Sequence, residues 1–212
     1  MNSVDVGTLS AWIREFARLI SDNTSYLTEL DAAIGDADHG INMTRGMNSV
    51  LAKLDEMAPE DPAALCKQTA AALISSVGGA SGPLYGTFFL RMAAALGSQT
   101  SVDAATLAAA LRAGVDGVIQ RGHAEPHDKT MVDALGPAVD AFDDALSGTA
   151  TLSDALRRAA DAAAGGRDAT EVWIARKGRA SYLGERSAGH IDPGAASAAM
   201  LIASLCSATA GG

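Results

Sequence analysis

Apolar residues recur at helical spacing along almost the whole chain. The first such set follows an i, i+3, i+4, i+7 pattern and comprises Leu9, Trp12, Ile13, Phe16, Leu19 and Ile20. Similar sets predict further helices over residues 26–33, 43–54, 65–77, 84–96, 107–118, 131–146, 152–160, 172–176 and 195–207. No segment alternates apolar and polar residues as a half-buried strand would. The pattern therefore predicts an all-α domain of about eight to ten helices.

Four segments, which hold most of the Gly, Pro, His and basic residues outside the predicted helices, interrupt this helical pattern. They read GDADHG (35–40), GGASGPLYG (78–86), RGHAEPHDKT (121–130) and RKGRASYLGERSAGHIDPG (176–194). Pro83 suits the first turn of the helix after the second segment, whereas Pro137 falls inside the seventh helical pattern and predicts either a kink or a later helix start. Functional residues concentrate in loops on a rigid scaffold. We therefore expect the four segments to converge at one end of a helical bundle.

Composition narrows the class of protein. The 212 residues suffice for one domain, residues 1–212, and show no boundary for a second. A formal net charge of −9 disfavours a surface that binds the phosphates of nucleic acid. The longest apolar stretch, residues 195–206, is too short to span a membrane, and the first residues lack the pattern of a secretory signal. Cys66 and Cys206 lack zinc-site spacing and are interpreted as reduced core residues. We expect a cytoplasmic protein.

Three carboxylates crowd around the first glycine-rich segment. Asp36 and Asp38 stand two residues apart, and Asp31 precedes them by about one helical turn. In an extended backbone the first two side chains point to the same side, and Gly35 and Gly40 permit the positive φ angles of a tight reversal. Like charges about 4 Å apart repel by roughly 4 kcal/mol at an effective dielectric near 20, so bound Mg²⁺ is one explanation. A solvated acidic turn is the other, and spacing alone does not decide.

Two other segments have features of phosphate sites. The glycines of GGASGPLYG permit close approach of a ligand to the backbone, and Ser81 or Gly82 stands at a predicted helix N terminus, whose N–H groups attract anions. Asp192, Pro193 and Gly194 combine a helix N-cap with proline at the first helical position. The second segment lacks the Gly-Lys-Ser/Thr of a P-loop. An ordinary turn between helices therefore stays open as its explanation.

Cationic and imidazole side chains occur in the same segments. Arg176, Lys177, Arg179 and Arg186 lie within eleven residues of an otherwise acidic chain. They form either a solvated surface loop or the charge stabilisation that phosphoryl transfer requires. Among the histidines only His39 lies in the aspartate segment, where a neutral imidazole could bind phosphate or ribose. A GxSxG elbow and an electropositive setting for cysteine are both lacking, which disfavours covalent hydrolysis.

Taken in order, these segments resemble a known family, the nucleotide-binding L subunits (DhaL type) of dihydroxyacetone kinases. The matching stretches are LTELDAAIGDADHGINMTRG, SSVGGASGPLYGTFF, RGHAEPHDKTMVDAL and ARKGRASYLGERSAGHIDPGAAS, and they are spread over nearly the whole chain. One departure is His127, since the family commonly has glycine before Asp-Lys-Thr. This departure leaves the conformation of that turn open.

The resemblance implies a fold and a set of ligand contacts. The fold would be an eight-helix antiparallel barrel, with ADP or ATP and two Mg²⁺ ions held by loops at one end. Asp31, Asp36 and Asp38 would ligate both ions. Arg179 would contact the nucleotide and reach the transferring phosphate, a role that suits its guanidinium fork. The other nucleotide-binding residues would be His39, Gly40, Ile41, Asn42, Ala80, Ser81, Gly122, Met131, Asp192, Pro193 and Gly194.

The resemblance also implies a reaction and partners. ATP-dependent members fuse this domain to a K domain that binds the ketone covalently, and 212 residues leave no room for one. The chain therefore looks like the separate subunit of the phosphotransferase-system-dependent form. In that form, ADP stays bound as a cofactor, receives phosphate from a phosphohistidine of an M-type subunit and, as ATP, passes it to dihydroxyacetone on a K-type subunit.

Two alternatives to this reaction stay open. One is an L subunit that exchanges free ATP and phosphorylates another small ketose or polyol with a different partner. The other is a non-catalytic sensor of nucleotide state that acts on a transcription regulator.

Overall fold

The structure, a computed structural model, describes residues 3–148 and 150–210 and is almost entirely helical. Within these residues the α-helices are α1 (Val6–Asp22), α2 (Thr24–Ile34), α3 (His39–Glu56), α4 (Pro62–Ser76), α5 (Ser81–Leu96), α6 (Ala104–Gly122), α7 (Val132–Ser147), α8 (Leu152–Ala169) and α9 (Pro193–Ala210). Two 3₁₀ segments, Thr170–Val172 and Arg179–Ser187, lie between α8 and α9. The all-α prediction is confirmed. Residues 1, 2, 149, 211 and 212 of the predicted domain lie outside the described residues.

Most of the helices form a closed ring. In the order α1, α3, α4, α5, α6, α7, α8 and α9, each helix packs against the next, and α9 packs against α1. Because most neighbours in the ring follow one another along the chain, adjacent helices run in opposite directions. The shorter α2 packs against α3, α9 and the second 3₁₀ segment. The starts of α3, α5, α7 and α9 therefore lie at the same end of the ring.

Aromatic side chains fill the middle of this ring. Trp12 is fully buried, packs against Phe89 with ring centroids 5.7 Å apart, and donates its indole N–H to the carbonyl of Leu201 at 2.8 Å. Phe16 lies 6.0 Å from the ring of Tyr85. A buried indole needs a hydrogen-bond acceptor, and here the acceptor comes from α9. These contacts join α1, α5 and α9 across the core.

The last helix, α9, is the most apolar. It is long enough to cross a membrane and has a mean hydropathy of 1.3. In this fold 61% of it is buried against other helices, and it packs on α1, α7 and α8. These properties are those of a core helix.

Two short strands were not expected from the sequence. β1 (Ser3–Asp5) pairs antiparallel with β2 (Ser101–Asp103), with Val4 opposite Val102. Both valines are fully buried. Three residues are too few for alternation to appear as a pattern, and the pairing joins chain segments far apart in sequence. The ladder links the residues before α1 to those before α6.

The predicted ninth helix, residues 172–176, is wrong. The chain leaves the 3₁₀ turn at Trp173 in an extended conformation. The N–H of Ala175 then donates to Ser187 Oγ at 2.8 Å, and the N–H of Arg176 donates to the carbonyl of Asp128 at 3.0 Å. These long-range bonds replace the helical ones. The preceding α8 is longer than predicted and continues to Ala169.

Pro137 does not delay the start of its helix. α7 begins at Val132 and continues through this proline. Proline has no N–H for the carbonyl of Asp133, four residues earlier. The backbone of α8 lies close to that carbonyl at Gly166, where an added Cβ would stand 2.1 Å from the oxygen. Only glycine permits this close packing of α7 and α8.

Candidate functional site

The starts of four ring helices surround one cleft of about 710 Å³, a volume suited to a small-molecule ligand. All four segments that interrupt the helical pattern contribute to its lining, so their expected convergence is observed. Gly40, which is buried, and Ile41, which is 55% exposed, lie outside the lining. The predicted residues that line the cleft are Asp31, Asp36, Asp38, His39, Asn42, Ala80, Ser81, Gly122, Met131, Arg179, Asp192, Pro193 and Gly194.

The three aspartates converge on one wall of this cleft. One carboxylate oxygen from each of Asp31, Asp36 and Asp38 lies within 4.8 Å of the others. Asp31 stands in the last turn of α2 and is buried. Its Oδ2 accepts the N–H groups of Asp38 at 2.8 Å and His39 at 3.1 Å, which fixes its position. Such clustered oxygen ligands suit a hard divalent cation.

The backbone of this turn differs from the prediction. It is not extended, because Ala37 has a φ of +62°. Gly35 and Gly40 do not adopt positive φ angles, so the role predicted for them is wrong. An added Cβ on Gly35 would lie 2.0 Å from Oδ1 of Asp31, and one on Gly40 would lie 2.1 Å from the carbonyl of Thr24. The first glycine makes room for a carboxylate, and the second lets α3 pack against α2.

The start of α5 is suited to an anion. Within the described residues no side chain caps this helix, and Ala80 and Ser81 line the cleft. An added Cβ on Gly82 would lie 2.5 Å from the carbonyl oxygen of Val77. Glycine is therefore needed for the backbone at Val77 to lie this close to the first turn of α5. Uncapped N–H groups at a helix N terminus bind phosphate and other anions. The cleft therefore presents a cation site and an anion site together.

His39 belongs to a buried hydrogen-bond network at the floor of the cleft. Its Nδ1 lies 3.2 Å from Ser81 Oγ, and its Nε2 lies 2.9 Å from Ser197 Oγ. Ser197 Oγ in turn lies 2.7 Å from the hydroxyl of Tyr85. Burial lowers the pKa of His39, although nearby aspartates oppose this effect. A neutral imidazole with both nitrogens in use holds Ser81 in place at the start of α5.

Asp192 caps α9, as the sequence predicted. Its Oδ2 accepts the N–H of Ala195 at 2.7 Å, and its own N–H donates to Thr170 Oγ1 at 3.0 Å. Burial raises the pKa of Asp192 to about 7; the nearby Asp133 also raises it, whereas Lys129 lowers it. Burial of Asp192 thus disfavours the charged form of its carboxyl group.

Arg179 lies at the mouth of the cleft beside the carboxylate cluster. Its Nη2 is 3.0 Å from Oδ2 of Asp36, and its side chain is 68% exposed. Lys177 of the same cationic segment also lines the cleft, whereas Arg176 and Arg186 do not. The structure thus places the long, exposed side chain of Arg179 next to the predicted metal ligands.

The turn that contains His127 has the conformation that glycine adopts most easily. His127 has a φ of +70°, in the left-handed region that non-glycine residues seldom adopt. Its ring packs on Trp173 with centroids 4.5 Å apart. His127 thus adopts a conformation that is accessible to glycine, and its side chain adds an aromatic contact.

Sequence reasoning missed two residues that shape this loop. Asp133 accepts the N–H groups of His127 at 2.6 Å and Thr130 at 2.7 Å. Lys129 is buried and donates to two backbone carbonyls in the segment before α9. Both stand in the conspicuous stretch HDKTMVD. The partners of Lys129, Trp173 and Ser187, are too distant in sequence for spacing to reveal them, whereas those of Asp133 lie within six residues.

The chain is similar to known proteins over most of its length. The DAK2 domain matches residues 33–207. Over 186 residues the chain is 47% identical to the "PEP-dependent dihydroxyacetone kinase, ADP-binding subunit DhaL" of Escherichia coli (strain K12), covering 88% of this chain and 89% of the relative. It is 40% identical over 200 residues to the "PTS-dependent dihydroxyacetone kinase, ADP-binding subunit DhaL" of Lactococcus lactis subsp. lactis (strain IL1403), covering 94% and 96% of the two chains.

A solved structure has the same fold. The crystal structure of the dihydroxyacetone kinase from C. freundii in complex with AMP-PNP and Mg²⁺ is similar to this chain with a TM-score of 0.73 and 25% identity. The similarity covers 98% of this chain and 34% of that one.

Proposed function

The chain belongs to the DAK2 domain family, among the ADP-binding DhaL subunits of PEP-dependent dihydroxyacetone kinases, and we propose that it holds ADP with two Mg²⁺ ions as a cofactor of phosphoryl transfer. A phosphohistidine of an M-type subunit would be the phosphate donor. Dihydroxyacetone held on a K-type subunit would be the acceptor. The reaction would take place in the cytoplasm. The observation that carries the proposal is the meeting of three carboxylates and an uncapped helix N terminus in one cleft.

The residues of the cleft fit a divalent cation. Asp31, Asp36 and Asp38 would hold Mg²⁺ because their oxygens already converge and because Mg²⁺ prefers carboxylate ligands. Asp31 is oriented by two backbone N–H groups, so its second oxygen is left for the cleft. The mutual repulsion of the three carboxylates is then offset by the cation.

The same cleft fits a nucleotide. Its volume of about 710 Å³ lies within the range of small-molecule sites. Ala80 and Ser81, at the start of α5, would hold phosphate groups, while Gly122, Met131 and Gly194 would line the rest of the site. When bound, the nucleotide supplies the transferable phosphoryl group and Mg²⁺ neutralises its charge.

The protein's own groups contribute orientation and charge. The network from Tyr85 through Ser197 and His39 holds Ser81 at the start of α5. Arg179, beside the carboxylate cluster, stabilises negative charge that develops on the phosphoryl oxygens. Positioning and charge stabilisation are the main contributions that a protein makes to phosphoryl transfer.

The extent of the similarity supports a multi-subunit enzyme. The two bacterial relatives are named as subunits, and the chain covers 89% and 96% of their lengths. The kinase of C. freundii is about three times longer than the part that the chain matches, which is 34% of it. A separate K-type subunit would then hold the acceptor.

A reconstituted transfer assay tests the proposed function. The purified chain, loaded with ADP and Mg²⁺, is mixed with K-type subunit and dihydroxyacetone, and product is measured with either phosphorylated M-type subunit or free ATP. We expect repeated turnover with the M-type subunit and no repeated turnover with free ATP alone. Repeated turnover with free ATP would contradict the cofactor role and favour an exchangeable nucleotide, and binding without transfer under either condition would contradict the enzymatic role.

A further inference from the structure

Lys129 is a buried cation without a carboxylate in contact. The residue is 1% exposed, and among the described residues it takes part in no ion pair within 4 Å. Buried lysines are rare unless they are paired. Its Nζ instead donates to the carbonyls of Trp173 at 3.0 Å and Ser187 at 2.6 Å. One ammonium group thus binds the backbone at two separate points.

These two points enclose Arg179. We call residues 173–187 the arginine segment; Lys129 binds the carbonyl at each of its ends. Arg179 lies between them and is 68% exposed, so packing of its own side chain does little to fix its position. The course of the arginine segment, together with the ion pair to Asp36, therefore decides where the guanidinium lies.

The neighbours of Lys129 strengthen the same connection. The carbonyl of Asp128 accepts the N–H of Arg176 at 3.0 Å. The ring of His127 packs on Trp173 with centroids 4.5 Å apart. Three consecutive residues, 127–129, therefore all contact the arginine segment. These contacts hold the loop before α7 against the loop before α9.

The connection is maintained at a cost in backbone conformation and solvation. His127 and Lys129 both have positive φ angles, +70° and +64°, which are unfavourable for residues with a Cβ. Asp133 compensates by accepting the N–H groups of His127 and Thr130. Burial lowers the pKa of Lys129, although the charges of two acidic residues oppose this effect. Strained, desolvated groups persist mainly where they position functional residues.

We propose that Lys129 is a positioning residue that places Arg179 for phosphoryl transfer by clamping both ends of the arginine segment. Lys129 also lines the cleft, but its Nζ is bound to these two backbone carbonyls and acts through them. The inference rests on the role of Arg179 in the proposed function, and it adds the group that holds this arginine beside the carboxylate cluster.

A double-mutant cycle between Lys129 and Arg179 tests the inference in the reconstituted kinase. The variants are Lys129→Met, Arg179→Ala, the double variant, and Lys67→Met as a control that removes an exposed lysine of α4. We expect Lys129→Met to lower kcat by about 10- to 100-fold, since small misplacement of a charged group costs that much. Its KM and its retained nucleotide should change by less than about threefold, and Lys67→Met should match the unsubstituted chain.

The decisive value is the kcat of the double variant. If Lys129 acts through Arg179, the double variant is no slower than Arg179→Ala alone, within about threefold. Three outcomes would overturn the positioning role while leaving the role of Arg179 intact. They are a double variant in which the two losses of kcat multiply, an unchanged kcat in Lys129→Met, and loss of nucleotide from Lys129→Met. An unchanged kcat in Arg179→Ala would instead contradict the role of Arg179 in the proposed function, and the inference with it.

A second variant keeps the test decisive if Lys129→Met does not fold. Ser187→Ala retains both Lys129 and its carbonyl acceptors, but removes the bonds from Ser187 Oγ to Ala175 and Gly184 within the arginine segment. We expect faster hydrogen exchange at the N–H of Ala175 and a lower kcat. Combining Ser187→Ala with Arg179→Ala should again give a kcat no lower than that of Arg179→Ala alone. Faster exchange with an unchanged kcat would show that anchoring of this segment does not place Arg179, and would overturn the inference.

Discussion

Asp36→Asn is expected to abolish tight retention of nucleotide. Asparagine has nearly the same size but lacks the charge, so the cluster with Asp31 and Asp38 loses one of its three carboxylates. Mg²⁺ binds carboxylate oxygens in preference to amide oxygens. Removing a residue that only supports a metal ligand already weakens metal binding by about 10- to 100-fold. We expect the affinity for Mg²⁺ and ADP to fall by at least about 100-fold, measured by titration calorimetry.

The fold should not be the cause of this loss. Asp36 lies in an exposed turn, and its pair with Arg179 is solvent-accessible, so that pair contributes only about 0–1 kcal/mol. The ligand-free variant should melt at nearly the same temperature as the unsubstituted chain, but without the rise in Tm that Mg²⁺ and ADP produce. Asp161→Asn, on the exposed face of α8, is the matched control and should retain nucleotide. An Asp36→Asn protein purified with one ADP per chain would contradict the metal assignment.

Arg179→Ala is expected to separate nucleotide binding from turnover. The side chain is 68% exposed and contacts Asp36 at the mouth of the cleft, so its removal leaves the carboxylates and the start of α5 in place. What is lost is a cation beside the transferring phosphate. Loss of one preorganised charge-stabilising group lowers kcat by about 10²- to 10³-fold, whereas bound ADP should be retained.

Kinetics with the complete set of subunits measure this effect. Arg158→Ala removes an exposed arginine of α8 and is the matched control. Arg179→Lys should recover part of the lost activity, because it restores the charge without the planar fork. Full turnover in Arg179→Ala would remove this residue from the catalytic machinery.

Periodicity was enough to predict the helices that face the core on one side. In α1 five of the six residues of the apolar pattern, Leu9, Trp12, Ile13, Phe16 and Ile20, are buried, whereas the sixth, Leu19, is half-buried. Local spacing was not enough where partners lie far apart in sequence. The strands around Val4 and Val102 are held by each other, and residues 172–176 leave the helix because Ser187 and Asp128 offer other acceptors.

Sequence motifs predicted which residues meet in the candidate site, but the sequence did not predict the backbone conformation of these residues. The three aspartates meet, although the turn between them is bent at Ala37 and not extended. Gly35 and Gly40 were assigned to positive φ, but they are needed for close approach to Asp31 and to α2. Such steric needs depend on which element packs opposite the glycine, and a linear sequence does not state this.

We propose that the cleft holds ADP and two Mg²⁺ ions as a cofactor that stays bound and is not exchanged. Native mass spectrometry of the purified chain, desalted in Mg²⁺-containing buffer without added nucleotide and then incubated with an isotopically labelled ATP, measures this most directly. We expect a mass that corresponds to the chain with one ADP and two Mg²⁺ ions, with no uptake of the label. A mass of the bare chain, or rapid replacement of ADP by labelled nucleotide, would contradict it.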